Sequence, residues 1–261
     1  MIPLALMCAA MPSPGSVSER RSCHYEGTAY ASADGHVAYR EEHFVYVDRD
    51  GVRTRLVLYR CPSGEPFARK IVREAPSDTA PDFELFDARS GYREGVRTTA
   101  GHREVFVQDS RDAAERAAEV PERPDLVIDA GFDAFVRDDW NELDTPEGGH
   151  MTFVVPSRLG SVEMRVRASS QGVLNGRPVR QLRLGLSAWY GIAAPTIDLS
   201  YSSPDHVLRR FTGRSNILDA SHNSQDVRIE FPPSAEFPAP SPQDVDRATT
   251  LPLVTNCEEP K

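Results

Sequence analysis

Short segments in which apolar and polar residues alternate recur along most of this chain. The alternation is clearest after residue 160, where SVEMRVRA places Val162, Met164 and Val166 on one side of a strand and charged residues on the other. QLRLGLSA, TIDLSY and DVRIEF repeat the pattern. A period of two is typical of a β-strand with one buried face and one face in water. Because helical patterns do not separate these strands, parallel crossovers are excluded and an antiparallel sheet, mostly a meander, is predicted.

The region from Cys23 to about Asp109 predicts further short strands separated by turn signals. GHVAYREEHFVYVD and VRTRLVLYRC flank the sequence DRDG, in which Asp50 and Gly51 favour the turn of a hairpin. A calcium loop is the alternative for DRDG. It lacks the other oxygen ligands and the distal glutamate of such a loop, so a hairpin turn is the better interpretation.

One amphipathic helix is predicted in the middle of the chain, at residues 129–144. Its apolar positions fall on one stripe of a 3.6-residue period: Phe132, Phe135, Val136, Trp140 and Leu143. Asp129 is placed to cap the N-terminus, Asp133 and Arg137 are spaced as an i,i+4 ion pair, and TPEGG at 145–149 ends the helix.

Eleven or more strands at ~4.8 Å spacing make a sheet wider than ~50 Å, whereas a helix with its side chains is only ~10–12 Å across. The sheet must therefore curl around the helix, fold into two layers, or leave apolar surface for something else. We predict a mainly β protein: an antiparallel curled sheet, or unclosed barrel, with the principal helix packed on the concave face. Large barrels tend to enclose a cavity.

The chain divides into three predicted regions. Residues 1–21 are a signal-like, flexible N-terminal segment, 22–232 form a single half-barrel domain, and 233–261 form a flexible Pro-rich tail. The apolar start MIPLALMCAAMPSPGS predicts export to the periplasm; the alternative is an outer-membrane lipoprotein anchored through Cys8. No run is long enough to span a bilayer.

Charge and cysteine content narrow the possibilities further. The net charge of −9 argues against nucleic acid as a partner, because phosphate binding requires clustered cations. Cys23, Cys61 and Cys257 are compatible with one disulfide in an oxidising compartment and one spare thiol, and the pairing is left open.

The order of these features resembles the periplasmic lipoprotein-carrier superfamily (LolA/LolB/LppX-like): a signal sequence, a strand meander, a central helical interruption and more strands. HVLRRFTGRSNILDASHNSQDVRIEF is also similar to the closing strands of uncharacterised exported bacterial proteins of this type. The resemblance spans roughly residues 22–232. It implies an unclosed barrel that is plugged by helices and accepts acyl chains in its apolar interior. The resemblance assigns no role to any single residue.

The leading hypothesis is a non-catalytic periplasmic protein that binds or carries a lipid or other apolar ligand. The candidate cavity residues are Phe132, Phe135, Val136, Trp140, Trp189 and Tyr201. The helix stripe also fits plain packing on the sheet, and Trp189 also fits a turn anchor. The alternative function is an envelope scaffold or protein-interaction module with a filled core and no ligand.

Catalytic and cofactor signatures are weak in this sequence. Ser221, His222 and Asp226 lie close together in SHNSQD, but there is no GxSxG elbow for a nucleophile. The histidines have no HxH or HxxxH spacing, and glycine-rich phosphate loops are absent. We therefore expect no enzymatic activity, no metal and no cofactor.

Overall fold

The computed structural model describes residues 22–187, 196–203, 205–219, 221 and 223–258. The strands are β1 Cys23–Ala31, β2 Val37–Val47, β3 Arg53–Arg60, β4 Pro66–Pro76, β5 Pro81–Asp87, β6 Tyr92–Thr99, β7 His102–Gln108, β8 Arg116–Glu119, β9 Leu126–Val127, β10 Gly149–Val155, β11 Gly160–Leu174, β12 Arg177–Leu186, β13 Ile197–Ser202, β14 Leu208–Leu218, β15 Ser224–Glu230 and β16 Glu236–Phe237. The helices are α1 Phe132–Asp138 and α2 Pro242–Thr250, with 3-10 turns at Asp129–Gly131, Glu142–Asp144, Pro156–Arg158 and Pro233–Ala235.

The strands form one open sheet in the order β8-β7-β6-β5-β4-β3-β2-β1-β15-β14-β13-β12-β11-β10-β9, with β16 paired to β1. The first strand is therefore central, and each half of the chain forms one wing of the sheet. Only residues 120–125 connect the two edge strands, β8 and β9. A flat sheet of this order would be roughly 65 Å wide, whereas that connection reaches about 25 Å at most. The sheet must therefore curl, and the predicted unclosed antiparallel sheet is confirmed.

One pair of strands departs from the predicted antiparallel arrangement. β9 pairs with β10 in parallel over two residues, and helix α1 lies in the crossover between them. A parallel neighbour requires a crossover of a dozen or more residues, usually with a helix. The central helix therefore lies in a parallel crossover, the type of connection that the sequence interpretation had excluded.

The two faces of the sheet differ in what covers them. In β3, Val57 and Tyr59 point into the main core, whereas Leu56 and Leu58 point the other way, against α2. We call these the core face and the opposite face. On the core face a third cluster joins the two wings: Phe83, Val96 and Val105 pack with Leu126 and Val154. Side-chain packing thus brings the ends of the sheet together without a hydrogen-bonded ladder.

The predicted continuous helix at 129–144 is broken into a 3-10 turn, the seven-residue helix α1 and a second 3-10 turn. Asp129 makes no capping hydrogen bond; its φ of 43° is left-handed and its carboxylate faces Lys70. Asp138 and Asp139 fall at the C-terminus of α1, where the helix dipole disfavours negative charge. The local sequence therefore ends the helix early.

The segment after residue 232 was predicted to be a flexible tail, whereas the structure places an ordered helix there. Ser241 and Asp244 form a reciprocal capping box at the start of α2, and Ala248 packs against the opposite face. Cys257 forms a disulfide with Cys61, and none of the described cysteines is a free thiol, so the predicted spare thiol is absent. Among the described residues, no helix has the length and apolar character required to cross a membrane.

Candidate functional site

Residues 129–144, which we call the plug segment, pack on the core face of β10–β13. Phe135, Val136, Trp140 and Tyr201 are buried together, each at most 8% exposed. Their neighbours in the cluster include Met151, Met164, Val166, Leu182, Leu184 and Leu199. Phe132 is partly buried at the margin of the same cluster, and Trp189 lies outside the described residues. Four predicted site residues are thus brought together, and whether they line a ligand cavity stays a prediction.

Two ion pairs join the plug segment to the first wing of the sheet. Lys70 in β4 places Nζ 3.0 Å from a carboxylate oxygen of Asp129. Arg55 in β3 donates from Nη1 and Nη2 to Oδ2 of Asp133, each over 3.2 Å. All four side chains are largely shielded from water. Asp129 and Asp133 therefore each neutralise one cation of the sheet.

The second wing holds the same segment through Tyr201 and Arg180. The Tyr201 hydroxyl donates to Oδ1 of Asp133 at 2.8 Å, so Asp133 joins both wings. Arg180 in β12 donates to the carbonyl oxygen of Trp140 at 2.5 Å, and its guanidinium lies 4.0 Å from the centre of that ring. His206 stacks on the same indole with ring centres 3.8 Å apart. These polar contacts therefore position a segment whose buried side chains are mainly apolar.

The electrostatics favour an ionised Asp133 next to a neutral Tyr201. Burial opposes ionisation of Asp133, but the charges of Arg55 and Arg137 and the hydrogen bonds from Tyr201 and Arg55 outweigh it and hold its pKa below the usual value. Burial, reinforced by the charge of Asp133, raises the pKa of Tyr201 well above its usual value. Tyr201 is therefore a hydrogen-bond donor at any physiological pH.

A further acid, Glu94, lies on the core face two strands away from Lys70. Lys70 pairs with Leu85 in the register of β4 and β5, and Leu85 pairs with Glu94 in β6. The Tyr92 hydroxyl donates to the Glu94 carboxylate at 2.7 Å. Burial is the main cause that raises the pKa of Glu94 to about 7, and Asp129 adds to it, while Tyr92 and Lys70 act against it. Glu94 therefore titrates near neutrality.

Two glycines set how closely the plug segment approaches the sheet. A Cβ on Gly131 would overlap the carbonyl oxygen of Thr79, in the loop before β5. A Cβ on Gly149, at the start of β10, would lie 2.8 Å from the Phe135 ring. Both contacts are closer than a Cβ atom normally makes, so the fit of the plug segment depends on the absence of a side chain at these two positions.

Sequence reasoning missed the charged residues that hold the segment in place. They are Arg55, Lys70 and Arg180. A signal for one of them was present, because Lys70 alternates with Ala68 and Val72 on the buried side of β4. A charge at an inward position of a strand indicates a buried partner. The sequence does not say which residue that partner is.

The opposite face of β4–β7 has a separate open groove of about 580 Å³. Its apolar lining includes Ile71, Phe86 and Phe106. Arg69 at its margin donates to the carbonyl oxygen of Leu251 at 2.6 Å, while its buried Nε has no hydrogen-bond partner. None of the five predicted site residues that the structure describes lines this groove.

The described ranges bear on two other candidate sites, a metal centre and the polar cluster in SHNSQD. No group of three or more His, Cys, Asp or Glu side chains within these ranges is placed to hold a metal ion. Of the polar cluster in SHNSQD, His222 lies outside the described residues. The arrangement described above holds a segment of the chain by ion pairs and apolar packing.

Comparison with known proteins gives distant structural similarities only. No protein-family model and no curated protein matches the chain significantly. Among solved structures it is similar to a β-barrel-like protein of the domain of unknown function DUF1849 from Brucella abortus, with 9% identity over 81% of this chain and 95% of that chain and a TM-score of 0.46. A DUF1329 family protein from Desulfovibrio piger is 7% identical, with 81% of this chain and 83% of that chain covered and a TM-score of 0.24. The structure of MucB in complex with MucA(peri) is 11% identical, with 84% of this chain and 94% of that chain covered and a TM-score of 0.19. These values assign neither a family nor a function to the chain.

Proposed function

We propose that this protein is a non-catalytic, exported periplasmic protein that binds or carries a lipid in its curled sheet after the plug segment moves aside. That the plug segment lies on the concave face is part of the proposal. The observation that carries it is the pair of contacts Asp129–Lys70 and Asp133–Arg55. They hold a short segment over an apolar wall through charges that a ligand is able to replace.

The helix in that segment has only seven residues, and helices of this length are not stable alone in water. Its order therefore depends on its contacts with the sheet. Displacing it would uncover the apolar side chains of β10–β13, including Met164, Leu182 and Leu184, together with the cations Arg55 and Lys70. An amphiphile with one acyl chain and an acidic head complements such a surface.

The energies favour an acidic ligand over a neutral one. Leaving one partner of a buried ion pair unpaired costs roughly 3–5 kcal/mol, so both pairs together cost up to roughly 10 kcal/mol. A chain of a dozen methylenes at ~0.8 kcal/mol each gains a similar amount. A neutral hydrocarbon would only balance the loss, whereas a carboxylate or phosphate restores a partner for the cations.

The disulfide supports the proposed compartment. Cys61 and Cys257 are joined although they are 196 residues apart in sequence. Disulfides form and persist in oxidising compartments such as the periplasm and are rare in the cytosol. The predicted signal-like segment at 1–21 lies outside the described residues.

A fluorescence titration tests the binding proposal. The chain has two tryptophans, so a Trp189→Phe variant leaves Trp140 of the plug segment as the only indole. We expect oleic acid, added as monomer, to cause a saturable change in Trp140 emission. Methyl oleate should bind at least ~10-fold more weakly, because it cannot pair with the cations.

Two variants provide the controls. Lys70→Met should reduce the preference for the acid over the ester, whereas Arg93→Met, on the opposite face, should not. The proposal is wrong if neither ligand changes the emission saturably and native mass spectrometry of protein from the periplasm finds no bound lipid. The filled-core alternative would then be favoured.

The groove on the opposite face supports that alternative, an envelope scaffold or interaction module. Its half-buried Ile71 and Phe86 are features of a surface that a partner covers. Capture of one envelope protein by the wild type, lost in Phe86→Glu and retained in Val47→Glu, would favour this function. Equal capture by all three proteins would exclude the groove as the interface.

A further inference from the structure

The hairpin formed by β11 and β12 extends beyond its neighbours in the sheet. β10 pairs with β11 only as far as Val166, and β13 pairs with β12 only from Val179 onwards. Residues 173–178, which we call the hairpin tip, therefore pair with one another and with no other strand. One further hydrogen bond runs from the Ser203 N–H to the Pro178 carbonyl oxygen. Asn175 and Gly176 have φ of 51° and 77° and close the tip in the geometry that an Asn-Gly hairpin turn requires.

The hairpin tip exposes apolar side chains. Val173 lies directly opposite Pro178 on one face of the ribbon, and both are exposed. Val173 is 74% exposed, more than any other large hydrophobic residue described in the chain. Leu174 lies beside them and is only partly covered. A single exposed aliphatic residue is ordinary on a protein surface, but a pair at the end of a projecting ribbon forms an apolar point.

The charge around this point differs from that of the whole protein. The chain has a net charge of −9, yet residues 164–197 contain five arginines and neither Asp nor Glu. Arg177 is part of the tip, and Arg167 lies near the base of the ribbon. In the described part of the chain neither has a carboxylate partner. An apolar point with free cations beside it complements an anionic, partly apolar surface.

We propose that the hairpin tip docks on an anionic lipid bilayer, with Val173 and Pro178 entering the interface and Arg167 and Arg177 binding lipid phosphates. A stable protein partner would need about 1,000 Å² of contact, which the end of a two-stranded ribbon does not offer. A bilayer requires only local insertion of a few apolar groups together with cations at the headgroups.

The position of the hairpin tip links docking to the plug segment. Arg180 lies two residues after Pro178 on the same face of β12, and its guanidinium stacks on Trp140. Docking would therefore place the bilayer next to the contact that holds the plug segment. The docking proposal stands on the hairpin alone and does not require a lipid to bind inside the sheet.

Vesicle co-sedimentation of the full chain tests the proposal. We expect binding to vesicles of equimolar phosphatidylcholine and phosphatidylglycerol, weakened by salt, and little binding to phosphatidylcholine alone. Arg177→Gln should weaken binding about fivefold, the contribution of one cation near an anionic surface. Val173→Asp should weaken it further, because a carboxylate enters the interface in place of an aliphatic group.

Val47→Asp is the matched control, since Val47 is also exposed, at 51%, but lies beside the acidic turn after β2. It should bind vesicles like the wild type, and thermal unfolding should show all variants folded. Equal binding by Val173→Asp and wild type, or no binding to anionic vesicles, would overturn the proposal. Val173→Asp should leave the Trp140 response to oleic acid unchanged, so failure of docking and failure of the proposed function are separable.

Discussion

Replacing Glu94 with glutamine should stabilise the protein at alkaline pH and leave its stability almost unchanged near pH 4.5. Glu94 is buried on the core face, with the Tyr92 hydroxyl 2.7 Å away and Lys70 and Asp129 as its charged neighbours. Burial raises its pKa from 4.5 to about 7. Glutamine resembles the protonated acid in shape and still accepts a hydrogen bond from Tyr92, but it never acquires the buried charge.

The sign and the size follow from proton linkage. Between pH 4.5 and about 7 the folded state holds a proton on Glu94 that the unfolded chain has lost, so stability falls as the pH rises. A pKa difference of about 2.5, at 1.36 kcal/mol for each pKa unit, corresponds to a loss of about 3 kcal/mol from the free energy of unfolding. The loss is complete above about pH 7. Glu94→Gln should avoid all of it.

Urea unfolding of wild type and variant from pH 4.5 to pH 9 measures this difference. The stability gained by Glu94→Gln should grow by about 1.4 kcal/mol per pH unit up to about pH 7 and then remain constant. Glu104→Gln is the control, because the Glu104 side chain is 44% exposed and its replacement should give a small offset at every pH. A stability difference for Glu94→Gln that does not change with pH would show that Glu94 does not carry a raised pKa in the folded protein.

Other substitutions test the contacts that order the plug segment and α2. Gly131→Ala should lower the free energy of unfolding, measured in urea, by about 1–3 kcal/mol, because the new methyl overlaps the Thr79 carbonyl oxygen. Gly185→Ala is the control, because a methyl there meets nothing within 4 Å. Equal effects of the two substitutions would contradict the close approach at Gly131. Cys257→Ser should lower it by about 2–5 kcal/mol and make the segment after β16 sensitive to protease; unchanged proteolysis would show that packing alone holds that segment. Ser241→Ala should cost about 1 kcal/mol and increase hydrogen exchange at the start of α2, and unaltered exchange there would argue against the capping box.

The strands were predictable because their signal is local. Val162, Met164 and Val166 alternate with charged residues, and the structure places Met164 and Val166 in one core cluster. The DRDG turn was predictable for the same reason: the Asp48 carboxylate accepts backbone hydrogen bonds from Asp50 and Val52 and closes the hairpin. Turn residues and alternation act over a few residues, so they are readable in a single sequence.

The extent and the contacts of the helix were less predictable. The stripe of Phe135, Val136 and Trp140 correctly identified buried positions. Local rules, however, predicted that Asp129 caps the helix and that Asp133 pairs with Arg137. In the structure Asp129 pairs with Lys70, and Asp133 pairs with Arg55. An exposed i,i+4 pair stabilises a helix by only a few tenths of a kcal/mol, so a buried long-range partner readily displaces it. The helix at 242–250 was not predicted because the proline-rich composition of this region was read as flexible. The capping box at its start and the disulfide that joins Cys257 to Cys61 were not recognised in the sequence.

Alternation with a period of two or 3.6 records which side of each element is buried, so a mainly β chain with one central apolar helix stripe was readable from the residues alone. The folded chain was needed to place β1 beside β15, to bring the sheet edges together across residues 120–125, and to pair Lys70 with Asp129 and Arg55 with Asp133. The period of a strand does not identify its neighbour, and the charge of a residue does not identify its partner, because both are set by positions far apart in the chain.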